Sequence, residues 1–581
     1  MEYLKCYKKW LEFPAMDEEL KKELLMIKGD EKEIAARFSG ELKFGTGGIR
    51  GKMGAGTSRF NRYIVRKVTE GLAQFMAAAP ASEEGLSVVI AYDTRHNSAL
   101  FAREAAGVLV RHKIKVYLFE KPVPTPLLSF AVRELKATAG IVITASHNPP
   151  SDNGYKVYWS DGGQITDALA SGITAEVEKV KEALAVETAD LTTAAAQGLL
   201  VNIGEKIIDS YLHCLQRLRL AVFQEKKGRL PLKVVYTPLH GTGAVLVPQA
   251  LKRAGITDLL VVPEQQEPDP FCRTVSSPNP EDWDVFNLAL EWGRKNGADL
   301  LLATDLDADR LGAAVRDSAG GYTPLTGNQL GGLLLEYILS RRSEQKRLSP
   351  RGFVLKTVVT SELGREIALA YGLEMVETLT GFKYIGEKIK DMVDNGSREF
   401  IFGYEESYGY LAGDFVRDKD AIQACQLTAE MAAFYKTKGM TLLDALEELF
   451  QRYGYFAEEL INLELPETEI GRVEKMMQFF RQSTMEKIGG RKLLRRIDYL
   501  AQESIDLLRG EKTPTGLPAS NSLKYVLEDG CWFCIRPSGT EPKMKIYLGV
   551  KGSDKKEAEN RMISLKKEVG LLIKKAESFS T

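Results

Sequence analysis

The feature that most constrains this chain is a recurring pattern. An apolar, β-branched run ends abruptly in a short loop of small or charged residues. SVVIAYDTR (87–95), GIVITASHNP (140–149), KVVYTPLHGTG (233–243) and ADLLLATDLDADR (298–310) show it. So do FVLKTVVTSE (353–362), EFIFGYEES (399–407) and CWFCIRPSGTEP (531–542). Helical periodicity separates several of these runs, as in NRYIVRKVTEGLAQFMAAA (61–79) and FAREAAGVLVRH (101–112). Strands alternating with helices predict α/β domains with parallel or mixed sheets. In open sheets of this kind ligands collect beyond the carboxyl ends of the strands, the position these loops occupy.

The strand-ending starts resemble one another at intervals of roughly 120 residues, the spacing of whole domains rather than of solenoid repeats. A chain of 581 residues is also too long for one core. The pattern predicts three related α/β domains and a different terminal one, spanning 1–205, 206–322, 323–455 and 456–581. LRGEKTPTGLPASNS (508–522) reads as an exposed loop of the last domain. The end, 554–577, is amphipathic through Met562, Leu565, Val569, Leu572 and Ile573, and is expected to pack on its own sheet rather than on a membrane.

Charge excludes some partners. With 78 basic and 79 acidic residues, the formal net charge is −1, which argues against a nucleic-acid or anionic-membrane surface. The start, MEYLKCYKKW, lacks the apolar core of a signal peptide, and no run approaches the ~20 apolar residues of a spanning helix. A soluble, cytoplasmic protein is expected, with no obligate protein partner evident. Six scattered cysteines argue against a disulfide framework. CWFC (531–534) lies in an apolar run that reads as a strand, so its sulfurs face opposite sides and a redox pair is not expected.

Four loops carry chemical signals. In DLDADR, Asp305, Asp307 and Asp309 recur every second residue at a strand end. Such carboxylates repel one another unless a cation is present, and hard oxygen ligands suit Mg²⁺. An EF-hand does not fit, because its sixth place holds Arg310 and its twelfth Arg316. Mg²⁺ commonly completes its shell with phosphate oxygens and water, so a phosphate is expected nearby, with Arg310 placed to hold it. In RPSGTEPKMK, Arg536 offers a planar fork, Ser538 and Thr540 offer hydroxyls, and Gly539 lets backbone N–H groups approach an anion. In GYEESYG, Glu405 and Ser407 would share a face and suit vicinal sugar hydroxyls, although a solvated turn fits the segment equally well. GTGGIRG (45–51) matches neither a dinucleotide fingerprint nor a P-loop, and leaves a flexible glycine loop with Arg50 as a phosphate contact.

ITASHNPPSDNGYK (143–156) sets Ser146 beside His147. Neighbouring side chains in an extended chain point apart, so His147 is expected to be poorly placed as a triad base. The nucleophile-elbow glycines are also missing, since their places hold Thr144 and Asn148. Taken alone the segment reads as readily as a turn.

TASHNP, DLDADR, GYEES and RPSGTEP, in this order, resemble the α-D-phosphohexomutase superfamily, from about Phe44 to Val550. FGTGGIRG, TGFKYIGEKIK and GYEESYGY are similar to the long bacterial phosphoglucomutases, related to the phosphopentomutase and glucose-1,6-bisphosphate synthase branch. The resemblance implies a four-domain α/β architecture, with three related domains of mixed sheets and a smaller C-terminal α+β domain around a central cleft. It implies an isomerase that moves phosphate between the 1 and 6 positions of a hexose through glucose 1,6-bisphosphate. Ser146 would be the phosphorylated serine, and it would share Mg²⁺ with Asp305, Asp307 and Asp309. Glu405 and Ser407, assisted by Thr380 and Gly381, would grip sugar hydroxyls. Arg536, Ser538, Gly539 and Thr540 would hold the phosphate that is not transferred. Arg50, His147, Lys156 and Lys419 match active-site positions, with Lys419 the preferred acid/base.

Two departures stand out. Leu306 replaces the usual proline of the metal loop, and Tyr404 replaces the glycine common before the first glutamate of the sugar loop. The first should change loop stiffness and the second should narrow the sugar pocket. Mannose and pentose phosphates and bisphosphate synthesis stay open as substrates and activity. A Mg²⁺-dependent sugar phosphatase and a non-catalytic sugar-phosphate sensor are the readings from other classes.

Overall fold

A computed structural model of the chain describes residues 2–78, 85–220, 230–464, 470–537 and 543–580. It packs as two compact units. One comprises Met1–Gly327 with Phe382–Thr441, the other Asn328–Gly381 with Leu442–Thr581.

The first unit holds a six-stranded sheet ordered Gly48–Lys52, Asp152–Trp159, Ala139–Ile143, Ser87–Tyr92, Lys115–Phe119 and Leu200–Ile203. The last four run parallel, while Asp152–Trp159 is antiparallel to both its neighbours. Ala139–Ile143 is buried along its whole length, the signature of a strand covered on both faces. Helices Arg62–Ala78 and Ser98–Arg111 bury their apolar residues in the core of this sheet. Each fully buried Val, Leu or Ile there contributes about 1.5–3 kcal/mol.

A second, five-stranded sheet is ordered Tyr322–Leu325, Leu311–Arg316, Leu300–Thr304, Lys233–Thr237 and Asp258–Val261, again parallel on one side and antiparallel on the other. The unit also contains the antiparallel hairpin Glu399–Glu405/Gly409–Leu411 and helix Ala421–Thr437.

GTGGIRG departs from the expected flexible loop. From Gly48 onward it is an edge strand, with Arg50 opposite Gly154. Gly48 has φ 150°, and a Cβ there would lie 2.0 Å from the Tyr155 carbonyl oxygen, so glycine is required by close backbone approach.

The second unit contains the parallel pair Gly352–Thr357/Glu374–Thr378 and an antiparallel C-terminal sheet. The long helix Lys555–Ser580 packs on that sheet through Leu565, Val569 and Ile573, as its amphipathic pattern predicts. Within 508–522 the structure adds a short exposed strand, Lys512–Pro514, paired with Glu503–Asp506. Cys531 and Cys534 are buried and are thiols rather than a disulfide. Among the described residues no helix is long and apolar enough to cross a membrane.

Candidate active site

Strands Leu300–Thr304 and Leu311–Arg316 pair antiparallel, and the loop between them carries the three aspartates. One carboxylate oxygen from each of Asp305, Asp307 and Asp309 lies within 4.8 Å of the others, and all three residues are buried. Asp307 Oδ1 and Asp309 Oδ1 are buried and have no hydrogen-bond partner among the described residues. Burial, then the charges of Asp309 and Asp307, push the Asp305 carboxyl well above the usual carboxylate range. Three crowded carboxylates with unsatisfied inward oxygens fit a hard divalent cation.

The loop is held rigid by its carbonyls. Leu306 O accepts from Thr242 N (2.8 Å) and Thr242 Oγ1 (2.9 Å). Asp307 O accepts from Thr125 N (2.9 Å), and Ala308 O from Ala421 N (3.2 Å). Leucine at 306 therefore sits in a loop whose stiffness comes from neighbouring segments.

Ser146 follows strand Ala139–Ile143, and its hydroxyl donates to Asp305 Oδ2 at 2.7 Å. Its φ is 52°, in the left-handed region that serine rarely adopts. This corrects the expectation for His147. The chain is not extended here, so adjacent side chains converge and His147 Nδ1 lies 3.1 Å from Ser146 Oγ. The serine proton nevertheless points to Asp305, so the imidazole is not set up as a hydrolase base. Burial, then the nearby Arg310 and Arg50, hold the His147 pKa well below its ordinary value and keep the ring neutral.

Cations surround the carboxylates. Lys156 Nζ lies 3.1 Å from Asp307 and 3.5 Å from Asp309, and Lys419 Nζ lies 3.3 Å from Asp309. Burial disfavours charge on both lysines, but the aspartates outweigh it and raise both pKa values. In this arrangement both are ammonium ions. Burial would likewise raise Asp309, yet Lys419, Lys156 and Arg310 hold it low. Arg50 donates to Asn148 Oδ1 at 2.8 Å, and Arg310 pairs with Glu281.

The hairpin residues Glu405 and Ser407 join this cluster. Leu311 N donates to Tyr408 O at 3.0 Å, which ties the sugar-loop turn to the end of the metal loop. Glu405 is buried and accepts from the Ser407 side chain. Burial pushes its carboxyl up to about 7, with Lys419 and Arg310 opposing. Tyr404 is fully buried, its ring stacked on Phe402. Left-handed backbone occurs at Ser146, Ala308 and Tyr408, one in each of the three loops, the kind of local strain that marks functional sites.

Ser146, His147, Arg50, Lys156, Asp305, Asp307, Asp309, Arg310, Lys419, Glu405 and Ser407 all belong to the first unit. Thr380, Gly381 and Arg536 belong to the second. Thr380 and Gly381 follow strand Glu374–Thr378, and Gly381 has φ 116°. Arg536 is on strand Trp532–Pro537. Ser538, Gly539 and Thr540 lie outside the described residues.

Sequence reasoning missed two contributors. Asp418 accepts from Tyr158 Oη at 2.6 Å and from Lys419 Nζ at 3.3 Å, and so aims the ammonium. Arg95, at the end of YDTR, contacts the Ser146 loop. Its polar loop was visible in the sequence, but its target was not.

A mixed-sheet α/β scaffold that presents a serine hydroxyl to a cation-ready aspartate triad defines a phosphoryl-handling class of protein. The profiles described as phosphoglucomutase/phosphomannomutase α/β/α domains I, II and III match residues 41–184, 209–320 and 326–453, and that of the C-terminal domain matches 460–563. A phosphoglucomutase of Staphylococcus aureus is 38% identical over 521 residues, covering 89% of this chain and 91% of that one. One from Staphylococcus epidermidis is 38% identical over 542 residues, covering 93% and 96%. The open form of the Paramecium phosphoglucomutase parafusin superposes with a TM-score of 0.65 at 17% identity, over 94% of this chain and 96% of that one. The chain belongs to the phosphoglucomutase/phosphomannomutase family of the α-D-phosphohexomutases, with its three mixed α/β domains and β-rich C-terminal domain.

Proposed function

We propose that the chain is a phosphoglucomutase that interconverts glucose 1-phosphate and glucose 6-phosphate in the cytoplasm, with Ser146 as its phosphate carrier. The observation that carries this reading is the Ser146 hydroxyl 2.7 Å from Asp305 in a triad of buried carboxylates. The curated relatives named above support the choice of glucose. Mg²⁺ is the ion that Asp305, Asp307 and Asp309 would hold beside Ser146. When bound it offsets the charge of the phosphoryl group in transfer.

The chain's own residues do the rest. The Ser146 Oγ–phosphorus bond breaks as a sugar hydroxyl oxygen bonds to phosphorus, giving glucose 1,6-bisphosphate. The sugar hydroxyl loses its proton to a base, and Ser146 Oγ takes one from an acid. Lys419, an ammonium held beside Asp418, is the principal acid/base of this exchange, with Lys156 and His147 assisting. Lys156, Arg50 and Arg310 offset anionic charge. The bisphosphate turns over, and its other phosphate returns to Ser146. Glu405 and Ser407, with Thr380 and Gly381, are assigned to sugar hydroxyls, and Arg536, Ser538, Gly539 and Thr540 to the idle phosphate. The spans 1–205, 206–322, 323–455 and 456–581 are the domain limits we assign.

Two measurements test this. Ser146→Ala is expected to abolish phosphate uptake in intact-mass spectra and to remove mutase turnover. Normal turnover in that variant would sink the carrier role. Asp307→Asn is expected to raise the Mg²⁺ needed for half-maximal activity roughly tenfold to hundredfold, and an unchanged Mg²⁺ titration would remove Asp307 from the metal site.

A further inference from the structure

Arg95 is buried completely, and among the described residues the hydrogen-bond acceptors of its guanidinium are backbone carbonyls of the serine loop. Nη2 donates to Ser146 O and to Asn148 O, both at 2.6 Å. Nη1 donates to Pro149 O at 2.8 Å and to Asp152 O at 3.0 Å. Its charge is met by Asp93, whose Oδ2 is 3.3 Å from Nε, both side chains being 0% exposed. Asp93 also accepts from Thr144 Oγ1 at 2.7 Å and from Ser98 Oγ at 2.7 Å. Thr144 Oγ1 in turn accepts from Ser146 N at 2.8 Å. The Ser146 residue is thus gripped at its carbonyl by Arg95 and at its amide, through Thr144, by Asp93.

We propose that Asp93 and Arg95 are a positioning pair that holds Ser146 in its left-handed conformation, so that Oγ faces Asp305. This rests on the reading of Ser146 as the phosphate carrier. A serine at φ 52° persists only where its surroundings over-determine it. Relaxing to the right-handed region would swing Cβ and Oγ off the Asp305 direction. Bulk stability does not call for such a pair, because a buried ion pair is often no better than apolar residues of the same volume. A planar fork that spans four carbonyls specifies one loop geometry, which a flexible lysine cannot do. Neither residue needs to touch the sugar or the ion. The pair acts through Ser146.

The test uses the full chain with Arg95→Lys and Thr144→Val, each charged with glucose 1,6-bisphosphate. Intact mass counts the phosphate on Ser146, and turnover of glucose 1-phosphate is expressed per phosphorylated site. In Arg95→Lys, kcat per phosphorylated site is expected to fall roughly 100-fold, the scale of an ångström's misplacement. Thr144→Val, which loses one hydroxyl, is expected to fall about tenfold, with KM within about twofold of wild type in both variants. Millimolar guanidinium, and not ammonium, is expected to restore part of the loss in Arg95→Ala. Unchanged kcat per phosphorylated site, with only a lower melting temperature or fewer phosphorylated molecules, would overturn the proposal. So would a rise confined to KM. If Arg95→Lys fails to fold, Thr144→Val decides by the same readout. If wild type never takes up phosphate on Ser146, the carrier reading itself has failed, a result distinct from either.

Discussion

At the scale of single residues, Asp420 shows how burial and hydrogen bonding compete. It caps helix Ala421–Thr437, accepting from Ile422 N and Gln423 N, and Tyr211 Oη donates to both its oxygens at 2.9 and 2.7 Å. Burial still wins and pushes the carboxyl up to about 6. That is above the ~3.9 of an unfolded aspartate. Its stabilising contribution is therefore complete below the unfolded value and is lost as pH rises through about 6. Asp420→Asn cannot titrate. Its melting temperature is expected to decline less than that of wild type between pH 4 and 7, and parallel curves would refute the assignment. Other residues divide by how local their signals are. The aspartate triad was legible because three carboxylates within five positions state their own electrostatic problem. The direction of His147 was not, because the left-handed turn at Ser146 is imposed from outside the segment. Arg95 was invisible as a contributor, since its partners at 146–152 lie some fifty residues along the chain.

Among elements, the hairpin Glu399–Glu405/Gly409–Leu411 does the most with the least length. Arg310 and Gly409 form a bridge between the metal loop and the hairpin. A Cβ on Gly409 would lie 2.3 Å from Lys419 Cδ and 2.9 Å from Glu405 Oε1. Gly409→Ala is thus expected to displace the Lys419 ammonium from Asp309 and to lower kcat between about tenfold and hundredfold, while the circular dichroism spectrum stays unchanged. Steady-state kinetics at saturating substrate would check it, and wild-type kcat would show that the lysine has slack. Periodicity made the helices at 62–78 and 98–111 readable within a few residues of their ends. GTGGIRG was misread because its pairing with Asp152–Trp159 comes from a hundred residues away, and glycine-rich composition locally favours a loop.

At the scale of the molecule, the chain passes between its two units at Gly327/Asn328, Gly381/Phe382 and Thr441/Leu442. Composition gives no sign of these crossings, because each falls inside an ordinary α/β pattern. The recurrence of strand-ending loops was legible, since each of the seven apolar runs is a strand that ends at its polar loop. The second unit has its own buried charges. Lys524 Nζ donates to Val358 O at 2.8 Å and to Glu362 at 3.2 Å, while Lys356 meets Glu362 at 3.1 Å and Glu377 at 3.0 Å. Removing one partner of a buried pair costs about 3 kcal/mol or more, roughly 6–12 °C for a unit of this size. Lys524→Ala is expected to lower the calorimetric transition of the second unit by that much and to leave that of the first in place. An equal shift in both, or none, would contradict this account. The bond from Ala421 N to Ala308 O has a consequence for how the protein is made. At ~5–20 residues per second, the ribosome needs roughly 6 to 20 seconds to go from Asp309 to Ala421. For that interval the nascent chain already carries Ser146 and all three aspartates, but not the segment that closes over their loop. A product released in that window would display every diagnostic motif of the cation site without having formed one.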